Sequence, residues 1–246
     1  MRIAIFADIH ANREAFAVCL ADARGRGAAP AVLLGDYVGY GADPEWTVTT
    51  VMDLVDHGAI AVRGNHDDAL AEPRDTMNWE AQIAIEWTRG ELGRSERQFL
   101  EKLPLTATDD DRLYVHSDAS NPGAWRYVVN AGDASRSISA TSAHITFCGH
   151  VHRPQLYTLG STGRITTFTP ITDSAIPLSP NRRWLAVLGS VGQPRDGNPA
   201  ASYAVLDTDL HELTYCRAPY DVAAAAAKIR NKGLPTWLAD RLSLGK

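Results

Sequence analysis

Short apolar runs ended by glycine or a charged residue alternate with stretches of helical period through the first third of the chain. Residues 3–7 form a continuous apolar run, the pattern of a strand buried on both faces. Residues 13–26 place Phe16, Leu20 and Ala23 on one face of a helix. A second strand is expected at 31–34, stopped by Gly35, and a third at 59–62, stopped near Gly64. Between them, Pro44 fits the first turn of a helix capped by Asp43 and running to about residue 57. This βαβαβ order predicts parallel neighbours joined by right-handed crossovers.

Residues 73–103 read as two helices broken near Gly93-Arg94-Ser95. Strand-like runs prevail after that, at 105–108, 112–116, 145–148, 155–159, 164–168, 184–188, 202–206 and 212–217. One helix is expected among them, at 131–141. The tail, about 221–242, reads as helical, with Asp221 capping the alanine-rich 223–227 and a second short helix after Pro235. Two packed sheets with helices outside account for so many strands, so the expected class is α/β, a two-sheet sandwich flanked by helices. No repeat or low-complexity linker divides the chain. Residues 1–246 are therefore expected to form a single domain.

Composition narrows the function little. With 45% hydrophobic and 22% charged residues, the chain is ordinary for a globular protein. Its net charge of −5 argues against a nucleic-acid surface and against a DNA nuclease with a basic groove. A nucleotide substrate stays open, because bound divalent cations supply positive charge that the protein lacks. Cys19, Cys148 and Cys216 form no C-x-x-C pair and read as reduced thiols. Asp8 and His10 interrupt the first apolar run too early for a secretory leader, and no run approaches the ~18 apolar residues of a membrane span. A cytoplasmic protein without a membrane partner is expected. Its oligomeric state is not legible.

Five motifs carry the chemistry, and five of the eight histidines lie in them. They are Asp8-Ile9-His10, Gly35-Asp36, Gly64-Asn65-His66-Asp67, a lone His116, and Gly149-His150-Val151-His152. Each follows a strand-like run, and strand ends in an open α/β sheet converge in space. In an extended segment residues i and i+2 point the same way, so Asp8 and His10 are expected to face one ion, as are His150 and His152. Taken singly, the D-x-H, G-D and lone-His signals also fit caps and turns. Their ordered conjunction points to metal. Mixed oxygen and nitrogen donors without thiolate suit manganese, with iron or zinc as alternatives, and do not match a structural zinc site.

This set resembles the calcineurin-like metallophosphoesterase superfamily, whose pattern is D-x-H, G-D, G-N-H-[DE], H, G-H-x-H. The stretch Gly189-Ser190-Val191-Gly192-Gln193-Pro194-Arg195-Asp196, followed by Ala201-Ser202-Tyr203, resembles bacterial single-domain members. The resemblance implies a four-layer α/β-β/α fold and two divalent ions. Asp8, His10, Asp36 and His152 would hold one. Asp36, Asn65, His116 and His150 would hold the other. His66 would stay free as general acid while a hydroxide activated by the ions attacks phosphorus. Asn12 and Arg195 are candidate substrate contacts. Tyr37 and Tyr40 fit either stacking on a base or packing, and the tryptophans are assigned to packing.

Departures from the pattern shape the functional reading. Protein phosphatases of this superfamily carry G-D-x-V-D-R-G, whereas this chain reads Gly35-Asp36-Tyr37-Val38-Gly39-Tyr40-Gly41. The Asp that would orient the catalytic histidine is missing, which argues against a dedicated protein phosphatase. Ala11 replaces the usual glycine after His10. The segment His116-Ser117-Asp118-Ala119-Ser120-Asn121-Pro122 departs from H-[GA]-S-P. A small phosphoester or nucleotide is expected as substrate, with diesters ahead of monoesters because no basic clamp for a dianion is evident. Nucleotide or dinucleoside polyphosphate hydrolysis is the alternative. A non-catalytic scaffold is disfavoured, since every ligand is retained.

Overall fold

In the computed structural model, which describes residues 1–71 and 77–246, the chain forms two six-stranded sheets packed face to face. The first sheet has the order β3-β2-β1-β11-β12-β9. Its strands are β1 (Arg2–Phe6), β2 (Ala31–Leu33), β3 (Ile60–Ala61), β9 (Ala175–Pro177), β11 (Ala201–Asp207) and β12 (Glu212–Ala218). The second has the order β4-β5-β6-β10-β7-β8. It contains β4 (Thr106–Asp109), β5 (Arg112–Val115), β6 (Ile145–Cys148), β7 (Gln155–Leu159), β8 (Ile165–Phe168) and β10 (Arg183–Val187). The predicted parallel trio is present: β1 pairs with β2 from Ala4↔Ala31 to Phe6↔Leu33, and β2 pairs with β3.

Alternation along β1 explains the layers. Ile3 and Ile5 join Val32, Tyr114, Phe147 and Leu206 in the core between the sheets. Ala4 and Phe6 face the other way, toward Phe16 and Cys19 of α1 (Arg13–Gly25) and Val48 of α2 (Pro44–Asp56). On the far side of the second sheet, Val115, Leu185 and Val187 pack on Ala134 and Ile138 of α6 (Ala131–Ser139). Helix, sheet, sheet and helix therefore stack in four layers.

The remaining helices are α3 (Asn65–Asp68), α4 (Trp79–Glu91), α5 (Arg94–Lys102), α7 (Val222–Asn231) and α8 (Thr236–Leu244), with a 3-10 turn at Pro122–Ala124. The break between α4 and α5 falls at Leu92-Gly93, as the sequence predicts. The first residues of the expected helical stretch, 73–76, lie outside the described residues. Asn78 caps α4 by accepting from Ala81 N at 2.8 Å, and Asp221 caps α7 by accepting from Ala224 N at 2.9 Å. Asp43 precedes α2 without a side-chain cap bond; its carboxylate takes Lys228 Nζ at 2.8 Å instead. Strand β9 was not expected. It is a three-residue edge strand beside β12, too short for alternation to register. The cysteines are buried and unpaired. No helix among the described residues is long and apolar enough to cross a membrane.

Candidate metal centre

The carboxyl ends of β1, β2, β3, β5 and β6 deliver the motif residues to one place. Asp8, His10, Asp36, His66, His116, His150 and His152 are all buried, and His150, the most open, is 7% exposed. Ligand atoms of Asp8, His10 and His152 lie within 4.8 Å of one another, and so do those of Asp36, His116 and His150. His10, Asp36 and His66 form a third group within that limit. Asn65 Oδ1 lies 3.0 Å from His116 Nε2.

Convergence is not achieved by strand alternation. Asp8, His10, Asp36, His150 and His152 have φ of 55°, 50°, 54°, 68° and 60°, so they sit in the left-handed region rather than in extended backbone. The expectation that i and i+2 share a face therefore pairs Asp8 with His10, though by the wrong geometry, and does not hold for His150 and His152, whose ligand atoms fall in different groups. The chain coils tightly as it leaves each strand and swings both side chains inward. Such backbone costs about 1 kcal/mol or more per residue and persists where surrounding structure imposes it. Here Asp8 N donates to Gly35 O at 3.1 Å, His10 N to Asp36 O at 2.9 Å and Ala11 N to Tyr37 O at 2.8 Å. Asp67 reinforces the same junction. Its carboxylate accepts from Asp36 N at 2.8 Å, Tyr37 N at 2.9 Å and Gly64 N at 2.9 Å.

Four of the five imidazoles, all but His66, are locked by a backbone carbonyl. His10 Nδ1 donates to Val38 O at 3.0 Å, His152 Nδ1 to Gln193 O at 2.7 Å and His116 Nδ1 to Leu34 O at 2.8 Å. His150 is reversed, with Nε2 donating to Trp125 O at 2.9 Å. The inward nitrogens are thereby left as lone-pair acceptors, the form that binds metal. His10 Nε2 and His152 Nε2 face each other at 3.1 Å, and His116 Nε2 and His150 Nδ1 do the same at 3.1 Å. Burial, with the other positive groups nearby, pushes His10 and His152 well below the ordinary histidine value, so neither supplies a proton between them. Two lone pairs at that distance repel unless a cation lies against them.

The charges tell the same story. Burial and the neighbouring Asp36 push Asp8 up to about 7, although His116, Arg195 and the His150 N–H pull it down. Burial also opposes ionisation of Asp36, but His116, His66 and His10 beside it hold its carboxyl well below the usual range. Burial lowers His116, yet Asp36 and Asp8 outweigh it and raise the imidazole to about 9. Without a cation, Asp36 is thus balanced by a proton on His116, one that bound metal would displace. The donor set fits bound metal on charge and on lone-pair direction.

A cavity of about 470 Å³ opens over the cluster, lined among others by Asp36, Asn65, His66, His150, His152 and Arg195. His66 stands between Tyr40 and His10, with ring centroids at 4.5 and 4.8 Å. Burial, with Arg195 and His116, lowers it to about 4 against the pull of Asp36. Its buried Nδ1 has no hydrogen-bond partner. Gly39, at φ 82°, explains this: a Cβ there would collide with that nitrogen, and position 39 is where the protein phosphatases carry their orienting Asp.

Arg195 reaches the cavity, held by Gln193 Oε1 at 2.9 Å and lying over Tyr40 at 5.8 Å. Asn12 does not line that cavity. Its amide caps α1 by accepting from Ala15 N at 3.1 Å and donates to Gly192 O at 2.8 Å, so it holds loops together behind His10. Tyr37 is a core residue whose hydroxyl meets Val62 O at 2.7 Å, whereas Tyr40 lines the cavity. The tryptophans are not all packing residues: Trp79 is 67% exposed, and Trp125 O fixes His150. Trp125, Tyr127 and Asp67 were missed as site residues. Asp67 is visible in the motif, but nothing in the sequence marks Trp125 or Tyr127, which arrive on the loop after His116.

Known proteins share this architecture. The model of the calcineurin-like phosphoesterase superfamily domain matches residues 1–211. An uncharacterized protein of Methanocaldococcus jannaschii is 33% identical over 258 aligned residues, covering 99% of this chain and 98% of that one. A metallophosphoesterase from Sphaerobacter thermophilus superposes with a TM-score of 0.89 at 36% identity, covering 100% of this chain and 99% of the other. A hypothetical protein from Pyrococcus horikoshii gives a TM-score of 0.80 at 16% identity over 100% and 98% of the two chains, a likeness of fold.

Proposed function

The chain belongs to the calcineurin-like phosphoesterase superfamily, a family of metal-dependent hydrolases, and we propose that it uses two divalent ions to cleave phosphodiester bonds. Asp8, His10, Asp36 and His152 would hold one ion, and Asp36, Asn65, His116 and His150 the other. Asp36 Oδ2 lies 3.7 Å from His10 Nε2 and 3.4 Å from His116 Nε2, which supports its shared role. When bound, such ions acidify water and offset charge on phosphoryl oxygens. The chain's own groups do the rest. Carbonyls of Val38, Gln193, Leu34 and Trp125 keep the imidazole lone pairs aimed inward. His66 is assigned to the leaving oxygen, as proton donor or charge stabiliser. Arg195 is assigned to a non-bridging phosphoryl oxygen. It is the one Lys or Arg among the described residues lining this cavity, which suits the single charge of a diester better than a monoester dianion. Mixed oxygen and nitrogen donors favour manganese, ahead of iron or zinc.

We read residues 1–246 as one domain, since Tyr40 beside the centre packs with Ile229 of α7 and Leu238 of α8. The observation that carries the functional reading is the pair His10 and His152, locked tautomers whose lone pairs meet at 3.1 Å. A metal-by-substrate panel tests it. Stripped protein should be inactive, regain turnover with Mn²⁺, and prefer bis-p-nitrophenyl phosphate to p-nitrophenyl phosphate. Undiminished turnover after stripping and chelation would contradict it.

A further inference from the structure

A second cavity, of about 440 Å³, lies beside the one over the metal cluster. Tyr127 and Arg195 line both, so the two spaces share a wall. Their chemistry differs. The second holds two guanidinium groups, Arg153 and Arg195, and no carboxylate among its described walls. In a chain of net charge −5, a cavity of that composition selects an anion. The two arginines are tied together: Arg153 Nε donates to the backbone oxygen of Arg195 at 2.6 Å. That bond uses one edge of the Arg153 fork, and among the described residues its two terminal nitrogens have no acceptor. Arg195 is steadied by Gln193, whose Oε1 takes Nε at 3.3 Å and Nη2 at 2.9 Å.

Val128, Val129, Val151 and the rings of Tyr127 and Tyr157 give the same cavity apolar surface. Val129 is 59% exposed and Tyr127 50%, both on the rim of this cavity. Tyr127 lies flat on His150, centroids 4.1 Å apart and rings 8° from parallel, so its position is fixed from the metal side. An anionic group next to the reacting centre, with an organic portion against Val129 and Tyr127, satisfies both kinds of surface.

We propose that this second cavity is the subsite for a second phosphoryl group, so that the substrate is an organic pyrophosphate. One phosphoryl would sit at the metal cluster and its neighbour on Arg153 and Arg195. The assignment rests on the functional reading above. In the reaction, a water oxygen forms a new bond to the phosphorus at the cluster, and the bridging P–O bond to that phosphorus breaks. The second phosphate leaves with the bridging oxygen and its electron pair. The two protons of water pass to the product phosphates or to solvent.

The test compares AMP with α,β-methylene-ADP, whose bridge cannot be hydrolysed, by calorimetric titration of the metal-loaded protein. Methylene-ADP should bind about tenfold more tightly than AMP, a gain expected for charge-assisted bonds to one added phosphoryl group. Arg153→Gln and Val129→Asp should each remove most of that preference; Val129 is exposed, so a charge there leaves the core intact. Equal affinities in the wild type, or a preference unchanged in both variants, would overturn the proposal. Absence of bis-p-nitrophenyl phosphate hydrolysis with every metal, while the preference and its loss persist, would count against the hydrolytic reading and leave the subsite standing.

Discussion

Asp67 does not line the cavity, yet it braces the turns that carry the centre. Its carboxylate gathers the amides of Asp36, Tyr37 and Gly64, which joins the turns after β2 and β3. Asp67→Asn keeps the size but swaps one acceptor oxygen for a donor that meets backbone N–H groups. We expect a loss of about 3 kcal/mol in urea unfolding of metal-free protein, the scale of a broken buried charged hydrogen-bond set. A loss below ~1 kcal/mol would show that the turns hold without it. Residue identities at the centre were readable because each ligand follows an apolar run and ends in D-x-H, G-D, N-H or H-x-H. The backbone that aims them was not. Left-handed φ at Asp8, His10, Asp36, His150 and His152 is uncommon for any residue but glycine, although Asp and His tolerate it better than most, and no sequence pattern announces it. Asn12 lies off the cavity for a related reason: a polar side chain beside a motif serves as readily for a helix cap as for substrate.

At the scale of elements, strands with continuous apolar runs were legible, and the loop after His116 was not. That loop takes its shape from Asp118, which is fully buried and receives Arg136 Nε of α6 at 2.6 Å and Ser120 N at 2.9 Å. Burial works to raise the Asp118 pKa, but those donors outweigh it and hold the group below its unfolded value of 3.8. A lowered carboxylate stabilises the fold above the unfolded value and loses that contribution as pH falls through the folded one. Arg136→Ala should therefore cost about 1–2 kcal/mol near neutral pH and less at a pH low enough to protonate Asp118 in the folded wild type too. Unfolding curves at both pH values measure it, and an equal cost at each would refute the coupling. The loop carries Trp125 O and Tyr127 to His150. A segment set by one long-range ion pair has no local periodicity to betray it, which is why the substrate wall escaped the sequence.

The whole molecule explains why an acidic protein suits a phosphate ester. The ends of strands from both sheets bring the motif residues together at one rim of a chain whose net charge is −5. At the rim, the carboxylates of Asp8 and Asp36 are buried among the imidazoles, while Arg153 and Arg195 line the neighbouring cavity. Bound cations would balance those carboxylates. One shared carboxylate would set the number of ions bound, and elemental analysis by mass spectrometry after loading with Mn²⁺ and desalting counts them. Two manganese ions per chain are expected in the wild type and fewer than one in Asp36→Asn. One ion or none in the wild type, or two retained by the variant, would contradict that shared role.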